Sequence, residues 1–183
     1  MMVAMTPLRS DAVRSRERIL AAAAKRERTT LRLNDVARDA GVGVGTVYRH
    51  FPTVDALVEE LTAGTVDRAL AAARGALALD DARVAFDGFL KTMLDLLLSD
   101  EGLQQVLLAA DESSPEVHAA KLELTRAAGT LLERAQRAGA VRPGLTLQQL
   151  MHLVCGFERT VRLGPPEDRA TITAVLRAGL RPD

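Results

Sequence analysis

Residues 34–51 read NDVARDAGVGVGTVYRHF, and this stretch decides the fold. Val36, Ala37 and Ala40 recur on one side of a short helix opening near Asn34, and Gly41 stands where a left-handed residue ends it. A second short helix is expected over about Val44–Phe51, limited by Pro52 and carrying Thr46, Tyr48, Arg49 and His50. Two short helices about a glycine-containing turn have the spacing of a helix-turn-helix, whose second helix enters the DNA major groove. Thr46, Tyr48 and the amides at the amino end of that helix suit phosphate. Arg49 suits phosphate or the acceptor edge of guanine, and His50 suits phosphate. Gly43 and Gly45 leave little bulk at the mouth of the helix, so backbone can approach DNA closely, and Val44 is placed for a thymine methyl group. An ordinary helical hairpin with a surface Tyr-Arg-His cluster is the alternative reading of the same residues.

Charge separates around this stretch. Residues 1–50 carry ten basic and five acidic side chains, whereas 51–183 carry fourteen and nineteen, so a formal net charge of zero hides a cationic end. Such a dipolar chain presents that end to a phosphate backbone. Thirty alanines and 28 leucines, 3% aromatic residues and no sustained period-two pattern predict an all-α protein. A first helix is expected over about Asp11–Arg28 with Ser10 as cap, and a long helix over 53–77 capped by Thr53. Further helices are expected at about 81–99, 101–110, 115–139, 146–163 and 166–180, punctuated by Ser114-Pro115, Arg142-Pro143-Gly144 and Gly164-Pro165-Pro166. The organisation read from this is a DNA-binding domain over 8–52, a connecting helix over 53–77 and a helical effector-binding and dimerisation domain over 78–183. Met1 to Met5 lead into Thr6 and Pro7 before any apolar run of secretory length, and the lone Cys155 makes no intrachain disulfide, so a cytoplasmic protein without a membrane span is expected.

The run DVARDAGVGVGTVYRHFPTVDALVEEL, residues 35–61, resembles the DNA-binding domain of TetR-family transcriptional regulators, with the likeness extending over about residues 12–65. The resemblance implies an all-helical homodimer on a palindromic operator in double-stranded DNA, most often a repressor released by a small molecule. It implies DNA contacts by Asn34, Thr46, Tyr48, Arg49 and His50, alongside Val44 and Gly45 at the mouth of the same helix. Three departures accompany it. Val54 stands where the family commonly has a phosphate-contacting lysine, and Arg32 replaces the usual Ser or Thr cap of the bracing helix. With that cap missing, Asn34 is a candidate cap and Thr30 a candidate tie for the preceding link, which is also shorter than the common pattern and lacks its glycine.

From the same resemblance, helices between Asp81 and Gly139 enclose a ligand cavity. Candidate lining residues are Thr92, Met93, Leu97, Leu107, Leu108, Asp111, Glu112, His118 and Leu122; simple core is the alternative for the apolar ones. The last two helices offer Leu150, Val154, Gly156, Phe157, Val175 and Leu176 for a homodimer interface. His152, Cys155 and Glu158 fall at i, i+3 and i+6, but the third is displaced around the helix, so packing is preferred to metal binding. No glycine-rich phosphate loop, nucleophile elbow, His-Glu-x-x-His or paired cysteine motif is present, so neither catalysis nor a cofactor is expected. A helical enzyme or carrier and a helical protein-interaction module remain the other two classes.

Overall fold

Local chemistry sets most helix boundaries. The computed structural model describes residues 7–110 and 114–182. Among these residues the chain forms nine α-helices, joined by loops and one 3-10 turn, with no strand. They are α1 (Pro7–Ala23), α2 (Leu33–Ala40), α3 (Val44–His50), α4 (Val54–Leu77), α5 (Ala82–Ser99), α6 (Glu101–Leu108), α7 (Pro115–Arg137), α8 (Leu147–Leu163) and α9 (Asp168–Gly179). The Thr53 hydroxyl accepts from the Ala56 amide at 3.0 Å, and Asp81 accepts from the amides of Arg83 and Val84 at 2.8 and 3.0 Å. Ser114 caps α7, and Thr146 and Gln149 close a reciprocal capping box at the start of α8. Each such cap satisfies amides that the helix leaves without partners and contributes about 1 kcal/mol.

The first helix differs from expectation at both ends. It begins at Pro7, so Ser10 lies inside it, and it stops at Ala23 rather than Arg28. The Arg28 guanidinium folds back and donates to the carbonyls of Ala23 and Arg26, both at 3.0 Å, which satisfies backbone acceptors at the helix end. Residues Arg28–Thr30 then turn as a 3-10 helix, with the Thr30 hydroxyl donating to the Glu27 carbonyl at 3.5 Å. Arg32 is the residue before α2 and lends it no side-chain cap; Asn34 sits within the helix rather than capping it.

Two apolar clusters organise the molecule. Ile19 and Ala23 of α1, Val36, Ala37 and Ala40 of α2, Val47 of α3, Phe51 and Leu57 make the smaller. The larger joins α4 through α8 around Val66, Phe86, Leu97, Leu103, Leu131 and Leu150, and reaches Leu180 beyond α9. The α4 helix belongs to both: Leu57 packs in the first, Val58 in the second, and Val54 touches each. At 24 residues, it is a beam about 36 Å long at 1.5 Å per residue. No described helix is long and apolar enough to cross a membrane.

Candidate nucleic-acid interface and ligand cavity

The α2–α3 turn is fixed from both sides. Gly41 takes the left-handed conformation at φ 61°, ending α2, and its carbonyl accepts from the Arg18 guanidinium of α1 at 2.9 Å. Within α3 only Val47 is fully buried, and it packs into the smaller cluster. Val44 is 45% and Tyr48 47% exposed. Arg49 is also exposed, Gly45 faces open space, and Thr46 and His50 are half-buried. Arg49 Nη2 donates to Thr46 Oγ1 at 3.1 Å, holding the guanidinium along the outer face. The His50 ring lies 6.4 Å from that of Phe51, which the Arg16 guanidinium covers at 5.5 Å while reaching Glu60 at 2.7 Å.

Asn34 and Tyr48 meet in one cleft, together with Arg32, Asp35, Pro52, Thr53 and Val54. Much of the basic excess nearby is committed internally. Arg26 pairs with Asp39 at 2.6 Å and Asp35 at 3.8 Å, Arg38 with Asp35 at 2.9 Å, and Arg14 with Asp11. Arg32 is exposed on the cleft and makes no ion pair with a described residue. Its place beside Val54 and Tyr48 was not visible in the sequence, where it registers only as a missing cap.

A second feature lies in the larger cluster. A cavity of about 200 Å³ is walled by Phe86, Phe89, Leu90 and Met93 of α5, Leu107 of α6 and Leu124 of α7. Leu147, Leu150, Met151, Val154 and Cys155 of α8 close it, with Thr125, Ala128 and Gln148 completing the wall. Burial, and then the nearby Glu158 carboxylate, push the Cys155 thiol up to about 11.

Several expected site residues lie elsewhere. Met93 and Leu107 line the cavity, but Leu97 is enclosed in solid core and Thr92 is half-buried off the lining, donating to the Gly88 carbonyl at 3.1 Å. The inward stripe of α7 is Val117, Leu124, Ala127 and Leu131, which turns His118 and Leu122 outward; Leu108 is exposed at the end of α6. Asp111 and Glu112 lie outside the described residues. On α8, Leu150 and Val154 are cavity wall and Phe157 is buried against the same core, so these three are covered within the chain rather than offered to a partner. Gly156 is open, Val175 exposed and Leu176 half-buried. The outward apolar residues of α8 are Leu153 and Leu163, which were not among the interface residues expected from the sequence. His152 is exposed whereas Cys155 and Glu158 are buried, so the three do not converge, and His152 is not the packed residue expected of it. Glu158 instead pairs with Arg162.

The family model for the C-terminal domain of SbtR-like transcriptional regulators matches residues 81–182, and that for bacterial regulatory proteins of the tetR family matches 27–61. The chain belongs to the TetR family. Members of this family are DNA-binding transcriptional regulators, not enzymes. The chain is similar to the solved TetR regulator SCO0520 of Streptomyces coelicolor at 28% identity, covering 91% of this chain and 98% of that one with a TM-score of 0.53. The fold is shared with PfmR of Thermus thermophilus (21% identity, 92% and 96% coverage, TM-score 0.61). It is shared too with FadR of Bacillus subtilis in complex with stearoyl-CoA (15%, 92% and 99%, TM-score 0.56). A search of curated proteins returned no match.

Proposed function

We propose that this TetR-family chain acts as a homodimeric repressor that holds a palindromic operator through α3 and releases it when a small molecule fills the α5–α8 cavity. The observation that carries the reading is the outward face of α3, where Val44, Gly45, Tyr48 and Arg49 stand exposed on a helix braced by α1 and α2. Phosphate contacts by Asn34, Thr46, Tyr48, His50 and Arg32 set register, while Arg49 reads a base edge. Unlike the family's usual arrangement, the cation beside the cleft comes from Arg32 instead of residue 54. A cytoplasmic location follows from the DNA target.

Release is supported by α6, which is short enough to feel both ends. Its Leu107 is cavity wall. Its Gln105 amide donates to Asp55 of α4 at 2.6 Å, and its Glu101 accepts from the Arg28 amide at 3.4 Å. A ligand that favours one position of α6 therefore biases the placement of α3, provided it binds the two states unequally. FadR, solved in complex with stearoyl-CoA, supports a ligand-responsive role for this fold.

Selection of genomic DNA fragments by the full-length protein, followed by footprinting, tests the reading. The expected site is an inverted repeat with half-site centres about 34–36 Å apart or a longer in-phase distance. Protection that follows no sequence, or none at all, overturns it.

A further inference from the structure

We infer that the α5–α8 cavity selects a compact, uncharged, largely apolar molecule of about one ring's size, with a single polar group at Gln148. The inference rests on reading this cavity as the effector site. Size is the first argument. A dry cavity of about 150 Å³ lined by aliphatic and aromatic side chains accommodates benzene, so a volume of about 200 Å³ suits roughly eight to ten non-hydrogen atoms.

Electrostatics is the second. Among the described residues the wall contains no carboxylate, ammonium or guanidinium group, and the one ionisable member among them, Cys155, is held as a neutral thiol. A charged ligand would lose its hydration there without gaining a partner, at a cost of several kcal/mol. Phe86 and Phe89 offer ring faces and edges, and Met93 and Met151 offer polarisable thioethers, which together favour an aromatic or cyclic guest.

The polar end is fixed by the mouth. Of the residues lining the cavity, Thr125 of α7 and Gln148 of α8 are exposed, placing the opening between these helices. The Thr125 hydroxyl already donates to the Lys121 carbonyl at 2.8 Å. The Gln148 amide makes no hydrogen bond with the described residues and offers both a donor and an acceptor. A hydroxyl or carbonyl on the guest meets Gln148 while the ring lies inward.

Calorimetry on the full-length protein with p-cresol, toluene, 4-methylbenzoate and stearoyl-CoA separates the possibilities. Saturable binding of p-cresol and toluene is expected, with p-cresol favoured by about fivefold, the worth of one hydrogen bond. The charged toluate and the acyl-CoA should bind at least about a hundredfold more weakly. Gln148→Leu, at the exposed mouth, should erase the preference for p-cresol over toluene, and Ala128→Leu should block both. Circular dichroism checks that each variant is folded, and the Gln148 test stands alone if Ala128→Leu does not fold. Tighter binding of 4-methylbenzoate or stearoyl-CoA than of p-cresol overturns the inference, as does a Gln148→Leu protein that keeps the preference. Anisotropy with the selected operator separates this from the release reading. Binding of p-cresol that leaves DNA affinity unchanged supports the ligand class and overturns release; release by stearoyl-CoA with no binding of the rings does the reverse.

Discussion

Tyr48 and Arg49 are neighbours on α3, yet their work on DNA separates by chemistry. A phenol hydroxyl on phosphate carries no sequence information, so Tyr48→Phe should weaken all DNA sequences by a similar factor. Arg49, steadied by Thr46, should instead discriminate one base pair: Arg49→Ala is expected to relax that preference by about 1–3 kcal/mol, read by comparing sites selected by the two proteins. A uniform loss across sequences would reassign Arg49 to the backbone. Arg32→Ala should reduce the salt dependence of binding by about one phosphate contact, and Val54→Lys should raise it by about one. The lysine comes with a stability cost, since Val54 packs against both apolar clusters and a cation at the first turn of α4 opposes the helix dipole. Away from DNA, Cys155 makes stability depend on alkali. Its thiol keeps its proton up to about 11 in the folded chain, whereas the unfolded thiol ionises near 9. Stability should therefore be unaffected below about pH 8 and fall by about 2–3 kcal/mol as the pH rises from 9 through 11. Urea unfolding across that range measures the fall, and Cys155→Ala should remove this component of it.

At the scale of elements, α6 crosses α4 in close contact. Gly102 lies against the Thr62 hydroxyl, and a Cβ there would overlap it while approaching Val58 Cγ1 at 3.0 Å and Asp100 Oδ1 at 3.3 Å. The Thr62 hydroxyl is buried and makes no hydrogen bond with the described residues, so it has little to lose by removal. Gly102→Ala should cost about 1–3 kcal/mol through overpacking. Adding Thr62→Ala, which clears the space, should recover part of that loss; strictly additive effects in denaturant unfolding would show that the two do not meet. This junction was not legible in the sequence, because it depends on which turn of α6 crosses which turn of α4. Features confined to a few consecutive residues were legible: Thr53 and Ser114 read as helix starts, Gly41 as a stop, and Val36, Ala37 and Ala40 as a buried stripe. Where a boundary depends on a side chain reaching back over a turn, as Arg28 does to Ala23, propensity extends the helix too far. The cavity was legible only at Met93 and Leu107, for a similar reason. Met93 and Leu107 lie on stripes of clear phase, whereas α7 and α8 carry apolar residues on more than one face, and only packing decides that Leu150 turns inward while Leu122 and Leu153 turn outward.

For the whole molecule, the outward residues of α8 and α9 bear on assembly. Leu163 is 74% and Val175 67% exposed, and Leu153 and the open Gly156 continue the face along α8. Large apolar side chains left this bare on two successive helices suit an isologous contact, in which the same patch meets itself about a two-fold axis. The same axis would set two copies of α3 on successive major-groove faces and so explain an inverted-repeat operator. Leu163→Asp combined with Val175→Asp should convert the protein from dimer to monomer in light scattering at micromolar concentration. Neither side chain belongs to the buried core, so circular dichroism should be nearly unchanged. A monomer retains one recognition helix but loses the advantage of a tethered second one, so operator affinity should fall by about 10²- to 10⁴-fold, towards that of a single half-site. Arg49→Ala in the same background should then remove the base preference that remains, showing that α3 still docks as before. A doubly substituted protein that scatters as a monomer yet holds the full operator as tightly as the parent would overturn the dimeric reading while leaving the recognition helix in place.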